Sequence, residues 1–427
     1  MKKIIIYALI FVFCVAACAC GTAQKEPEAA NGNADTTSES PKGEDPPPTD
    51  ETPRSDLPEG VDPDEYYSFV KFDLPENFRQ AAVDRMKELA NFEWVCGETF
   101  STGKDRENWK YSLEYTKGNT YRGLPYSSFN RPLSEFKKYI SEHNGTFSCA
   151  SKGSDGEQSW DIWGLECSSA TTACFQLFTP DVRSVARQYM PSFTDEFVGV
   201  ICGDYKVTPG LQKTADIIAE NTADVMYNSY TSLGLGDIIM SKNETAGVCH
   251  VRMISQAPVV SKTVAGKIIP GRSYVLCTEQ TDAFDTTRKD GVKTTWRVDK
   301  KYTFSELYEK NYVPITFEIY EKNVSVIPYL ALDTATSEEQ LSKGVIVGTV
   351  SSDYPIQYCY MSLYDTQGNL VKREIRQDRM GGFKISLRNY SFPLFDGVKE
   401  GKYTFVIEAG LYCGEAELCR IDFEYKG

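Results

Sequence analysis

The apolar pattern of this chain changes period near Gly234, and that change limits the folds open to it. Upstream, apolar residues recur at helical spacing; downstream, they alternate along short runs split by turn residues. In "DLPENFRQAAVDRMKELANF" Phe78, Ala82, Met86, Leu89 and Ala90 share one face, and Asp73 and Pro75 mark the start of an amphipathic helix. Further helices are predicted over 133–140, after Cys167, and over 213–233. "GDIIMS", "CHVRMISQAPVV", "GKIIPGRSYVLCTEQ", "TTWRVDK" and "YVPITFEIY" then read as strands. Helices first and antiparallel strands later make an α+β chain. The polar "LDTATSEEQLSKG" predicts a linker over 326–343. Beyond it, short alternating runs with "TQGN" and "RMGG" as hairpin turns predict an independent, Ig-like β-sandwich over 344–427.

The N-terminus carries a targeting signal. Lys2 and Lys3 precede an apolar run, Ile4 to Val15, too short for a comfortable membrane span. The run ends in "VAAC", which resembles the bacterial lipobox. That resemblance makes residues 1–17 a lipoprotein signal peptide and Cys18 the lipidated residue. It implies an exported chain, lipid-anchored to the outer face of a bacterial membrane. Residues 18–60 are rich in Pro, Glu, Asp, Thr, Ser and Ala with almost no large apolar side chain. Such a segment cannot offset its ordering entropy, so a disordered tether is expected. About 40 residues of this kind reach roughly 35 Å.

A length of 427 residues suits two domains and a tail. The net charge of −14 argues against nucleic acid or an anionic membrane surface as the partner. Export permits disulfides among the 13 cysteines, but no Cys-x-x-Cys pair has zinc-ligand spacing, and two histidines exclude a His-rich metal site. No metal or organic cofactor is expected.

The stretch "GLECSSATTACF" raises a chemical question. Cys167 stands where a helix begins, and a helix N-terminus favours a thiolate. A cysteine nucleophile also needs a base and a group that orients the base. His143 lies in the polar turn "SEHNGTF"; His250 lies in "CHVRMI", at the start of an apolar strand. Cys174, two turns after Cys167, reads as a small buried hydrophobe.

Four elements in order, "GLPYSS" (Gly123, Pro125, Tyr126), "ECSSA" (Cys167, Ser168), "GLGDIIMS" (Gly236, Asp237) and "CHVRMI" (His250, Val251), are similar to those of the NlpC-type cell-wall cysteine peptidases. These are papain-like enzymes that cut peptidoglycan stem peptides. The resemblance covers about residues 76–320 and implies a papain-like core over 61–325, Cys167 as nucleophile, His250 as general base and Tyr126 beside the thiol. The Cys167 N–H would contribute to an oxyanion hole. The third residue should lie on the strand after that of His250. "SYVLCTEQ" ends in Glu279 and Gln280, which point to opposite faces. Gln280 is preferred, at the mouth of the strand and with the neutral amide that suits the family; Gln256 is a further candidate. This chain departs from the family pattern at Glu166, where Asp is usual, at Ser169, where Gly is usual, and in the long stretch between Cys167 and His250.

Other readings stay open. The same core could carry an amidase that cuts the sugar–peptide junction. A transglutaminase-like site would need an acid soon after the histidine strand, as Asp282 or Asp285. A non-catalytic surface lipoprotein would bind wall glycan or a partner, with Tyr354, Tyr358, Tyr360 and Tyr390 either stacking on sugars or packing inside the sandwich. Oligomeric state is left open.

Overall fold

The computed structural model describes residues 67–102, 113–127, 133–148, 164–183, 186–321 and 327–427. The N-terminal apolar run, Cys18, the acidic tether and Cys149 lie outside the described residues. The first strand, β1 (Tyr67–Lys71), is followed by α1 (Phe78–Asn91). The Asn77 side chain caps α1, accepting the Gln80 N–H at 3.1 Å, so the helix starts later than Asp73 and Pro75 suggest. Ala82, Val83, Met86, Leu89 and Ala90 are buried, which is the expected face.

Short strands β2 (Glu93–Cys96), β3 (Phe100–Thr102), β4 (Leu113–Tyr115) and β5 (Thr120–Arg122) come next, then α2 (Leu133–Glu142) and β6 (Thr146–Phe147). They enclose an aromatic cluster in which Trp94 stacks on Tyr115 and Tyr121 and meets Phe136 and Phe147 edge-on. Helix α3 (Cys167–Phe175) is buried along its whole length. Small side chains at Ala170, Ala173 and Cys174 let it pass through the core.

After β7 (Val200–Ile201), the helix expected over 213–233 divides into α4 (Thr214–Ala219) and α5 (Ala223–Thr231). Thr222 causes the break: it adopts extended backbone and its hydroxyl caps α5 at the Val225 N–H. The strands β8 (Ile238–Asn243), β9 (Val248–Val259), β10 (Tyr274–Gln280) and β11 (Trp296–Thr303) follow, then α6 (Phe304–Glu309) and β12 (Val313–Thr316). They form an antiparallel sheet in the order β11-β10-β9-β8-β12-β7. The α+β class is thus realised, with helices α1 and α3 packed on this sheet.

The C-terminal part differs from the expected sandwich. The segment read as a linker contains β13 (Tyr329–Asp333) and α7 (Glu338–Ser342), with Leu330, Ala331, Leu332 and Leu341 buried. The short runs merge into long strands, β14 (Thr349–Tyr364) and β15 (Leu370–Ser386). "TQGN" is a turn, with Gly368 at φ 82°, but "RMGG" lies inside β15, where the pairing with β14 shifts register. Glycine there marks an irregularity in a continuous strand. Helix α8 (Ser391–Phe395), β16 (Gly401–Gly410) and β17 (Glu415–Tyr425) complete the module.

The module is one six-stranded antiparallel sheet, ordered β1-β13-β14-β16-β17 with β15 on β14. Strand β1 therefore belongs to the C-terminal core, where Val70 and Phe72 pack with Leu330, Leu332 and Ile356. The boundary at 325 is corrected accordingly: residues 73–321 form an insertion between β1 and β13. Nor does the module stand apart, since Asp56–Gly427 form one compact unit. Tyr412, at the β16–β17 turn, is buried in the core of the helical part, and Gln357 Nε2 donates to Gln176 Oε1 at 3.0 Å. Tyr354, Tyr358 and Tyr360 are buried, which makes them packing residues of the sheet.

Candidate active site

Cys167 is the first residue of α3, as its sequence context predicts. Glu166 is the N-cap and forms a capping box with Ser169. Its carboxylate accepts the Ser168 and Ser169 N–H groups, both at 2.9 Å, and the Ser168 hydroxyl. The positive end of the helix is therefore already answered by a full negative charge. The thiol donates to Glu166 Oε2 at 3.3 Å and to Cys249 O at 3.9 Å. Burial first, then the Glu166 charge and Cys249, push the Cys167 thiol well above its ordinary value; the Val251 N–H opposes them too weakly. The Glu166 carboxylate thus opposes the favourable field of the helix N-terminus at this thiol. Among the described residues no acceptor takes the Cys167 N–H. Cys174 lies against Met86 Sδ at 3.7 Å, deep in the core, as a small hydrophobe.

The sheet supplies the histidine. Alternation along β9 puts Cys249 and Val251 on one face and His250 and Arg252 on the other. The Cys167 sulfur meets the main chain on either side of His250, at Cys249 O and the Val251 N–H. It makes no hydrogen bond to the His250 ring. That ring is about one quarter exposed, and its Nε2 pairs with Glu279 Oε2, while Glu279 is 1% exposed. The register of β10 against β11 shifts between Cys277 and Glu279, a local irregularity of the kind that re-aims side chains.

Glu279 has three partners. Oε2 also accepts from Arg252 Nε at 2.6 Å, and Oε1 accepts from the Tyr302 hydroxyl. Burial by itself would raise this carboxyl; the hydrogen bond and charge of His250, the Arg252 charge and the Tyr302 hydroxyl outweigh it and bring the pKa down to about 2. The Arg252 guanidinium lies 3.9 Å from the Tyr302 ring centroid and 4.2 Å from that of Tyr312.

Gln280, the preferred third residue, is placed elsewhere. It is fully buried on the opposite face and its Nε2 donates to Leu124 O at 3.0 Å, beside Trp296 Nε1 on the same oxygen. Glu279 is the strand-end residue that holds His250. Gln256 is exposed, paired with Leu276 in the ladder, and remote from this cluster. His143 is exposed, stacked on Tyr139. Tyr126 forms a bridge with Leu165, two residues before Cys167, so the Gly-Leu-Pro-Tyr element does lie beside the thiol's own segment. Gly123, at φ 76°, lets that element turn against Trp296, where a Cβ would clash at 2.4 Å. Asp237 is a structural staple, joining Arg79 at 2.8 Å and the Gly234 N–H at 2.6 Å.

Sequence reasoning missed Arg252 and Tyr302. Arg252 was legible as the residue two after His250 on the same strand face; Tyr302 had no local signal. Among the described residues no group of three or more metal-binding side chains could hold a metal ion. Compared with known protein families and with curated proteins, the chain matches none.

Proposed function

We propose that this chain is a papain-like cysteine hydrolase of the cell envelope, acting on amide bonds of peptidoglycan stem peptides. The observation that supports the reading best is the His250–Glu279 pair on adjacent strands, with Cys167 at the start of a helix whose thiol touches the main chain on both sides of His250. Because Nε2 is engaged by Glu279, Nδ1 is the ring atom left to take a proton. The reading requires the Cys167 side chain to turn from Glu166 and Cys249 O toward that atom.

In this mechanism His250 Nδ1 removes the Cys167 proton and the sulfur attacks the amide carbon. The Cys167 N–H faces the tetrahedral oxyanion, the amine departs with the proton from His250, and water hydrolyses the thioester. The stem-peptide substrate rests on the sequence resemblance. So do export and lipid attachment at Cys18, which would hold the enzyme on the membrane with the C-terminal sheet as a spacer or wall-binding module.

One observation favours the non-catalytic alternative: the thiol is hydrogen-bonded to Glu166 rather than to the imidazole, and burial and the Glu166 charge push it above its ordinary value. Digestion of purified peptidoglycan, with mass spectra of the fragments, separates the two. New amine and carboxyl termini within stem peptides, absent with Cys167→Ala, are expected; cleavage at the sugar–peptide junction would assign an amidase. Intact glycan and peptide with the wild-type chain would make it a binder.

A further inference from the structure

We propose that Arg252 is a positioning residue, which holds the Glu279 carboxylate against the His250 ring and, by sharing one oxygen with it, limits how strongly that ring retains a proton. The inference rests on the reading of His250 as a proton carrier. Arg252 and His250 project from the same face of β9 and both engage Glu279 Oε2, Arg252 at 2.6 Å. The remaining oxygen is held by Tyr302. Arg252 is 8% exposed and lies between the Tyr302 and Tyr312 rings, so its guanidinium has little freedom to leave the carboxylate.

A buried arginine–carboxylate pair is costly to desolvate and is weak evidence of a purely stabilising role. Its electrical effect on a shared oxygen is direct. An ionised Glu279 facing His250 alone would stabilise the imidazolium and discourage return of its proton. A permanent positive charge on the same oxygen opposes the imidazolium while keeping the carboxylate ionised. Glu279 of β10 and Tyr312 ahead of β12 meet the ring itself; Arg252 of β9 and Tyr302 of β11 meet the Glu279 carboxylate, and Cys167, hydrogen-bonded to Glu166, meets the β9 main chain next to His250. Arg252 is the fixed cation among them.

The chain has two histidines, so imidazole NMR of the full chain reads His250 directly, with His143→Gln as the assignment control. Arg252→Met should raise the His250 titration midpoint by about one pH unit or more, the size expected when a neighbouring buried charge is lost. Arg252→Lys should restore most of the wild-type midpoint. Arg252→Gln, which retains a flat donor, provides the same comparison if the methionine variant does not fold. An unchanged midpoint in either folded neutral variant overturns the proposal. The titration does not depend on hydrolysis. A shifted midpoint in a chain that leaves peptidoglycan intact would refute the peptidase and retain the role of Arg252; an unshifted one in an active enzyme would do the reverse.

Discussion

Replacing Glu279 with glutamine should change how stability depends on pH. The carboxyl has an ordinary value of 4.5 and a folded value of about 2. A difference of that size corresponds to about 3 kcal/mol of stability. Because the folded value is the lower one, this contribution is fully present above about pH 4.5, shrinks as pH falls, and is gone near pH 2. Glu279→Gln forfeits it at every pH and also leaves Arg252 buried without a counter-charge, so at pH 7 the total loss should be about 3–5 kcal/mol. Urea unfolding of both proteins, followed by tryptophan emission at pH 7, 4 and 2.5, measures the gap. The wild type should approach the variant as pH falls, with the gap closing by most of 3 kcal/mol. A constant gap would mean that folding leaves the Glu279 carboxyl at its ordinary value, and the ionic reading of the cluster would fail.

Glu166 offers a change with two opposite effects: Glu166→Ala removes the N-cap of α3, costing about 1 kcal/mol in thermal or urea unfolding, yet should speed iodoacetamide labelling of Cys167 at pH 8 because a charge that raises the thiol is gone. Unchanged or slower labelling would contradict that electrostatic account. Tyr412→Ala empties a buried aromatic site between the C-terminal sheet and the helical core and should cost about 3 kcal/mol in urea unfolding; a loss below 1 kcal/mol would show that the contact is dispensable. A chain ended after Leu332 strips β14 from β13 and uncovers that same surface, so it should bind a hydrophobic dye and unfold without a sharp transition. A cooperative, dye-free truncation would restore the independent-domain view.

What could be read from the sequence was mostly local. The face of α1, the start of α3 at Cys167 and the strand bearing His250 follow from spacing and capping within a dozen residues. The choice between Glu279 and Gln280 was not local. It depends on Arg252 and Tyr302, which come from both neighbouring strands and make a buried acid satisfiable where an unaided carboxylate would not be. The cap at Thr222 was visible as a residue type, but the continuous apolar pattern masked the break. Two glycines in "RMGG" carry the composition of a turn, and cross-strand pairing with β14 decides that they continue β15. Nothing near Tyr67 could show that β1 pairs with Tyr329–Asp333, because that partner lies hundreds of residues away.

That pairing has a mechanical consequence. β1 meets β13 through five residue pairs, and the Phe72 N–H donates to Pro328 O at 2.9 Å where the chain leaves and re-enters the sheet. The insertion that carries Cys167, His250 and Glu279 is thus a loop clamped at its base. Tension applied to the chain upstream of Tyr67 loads the β1–β13 ladder first and passes into the sheet behind it. The load path runs through β1 and β13 rather than through α3, β9 and β10, so traction on the N-terminal side of the chain acts on the clamp before it reaches the three side chains.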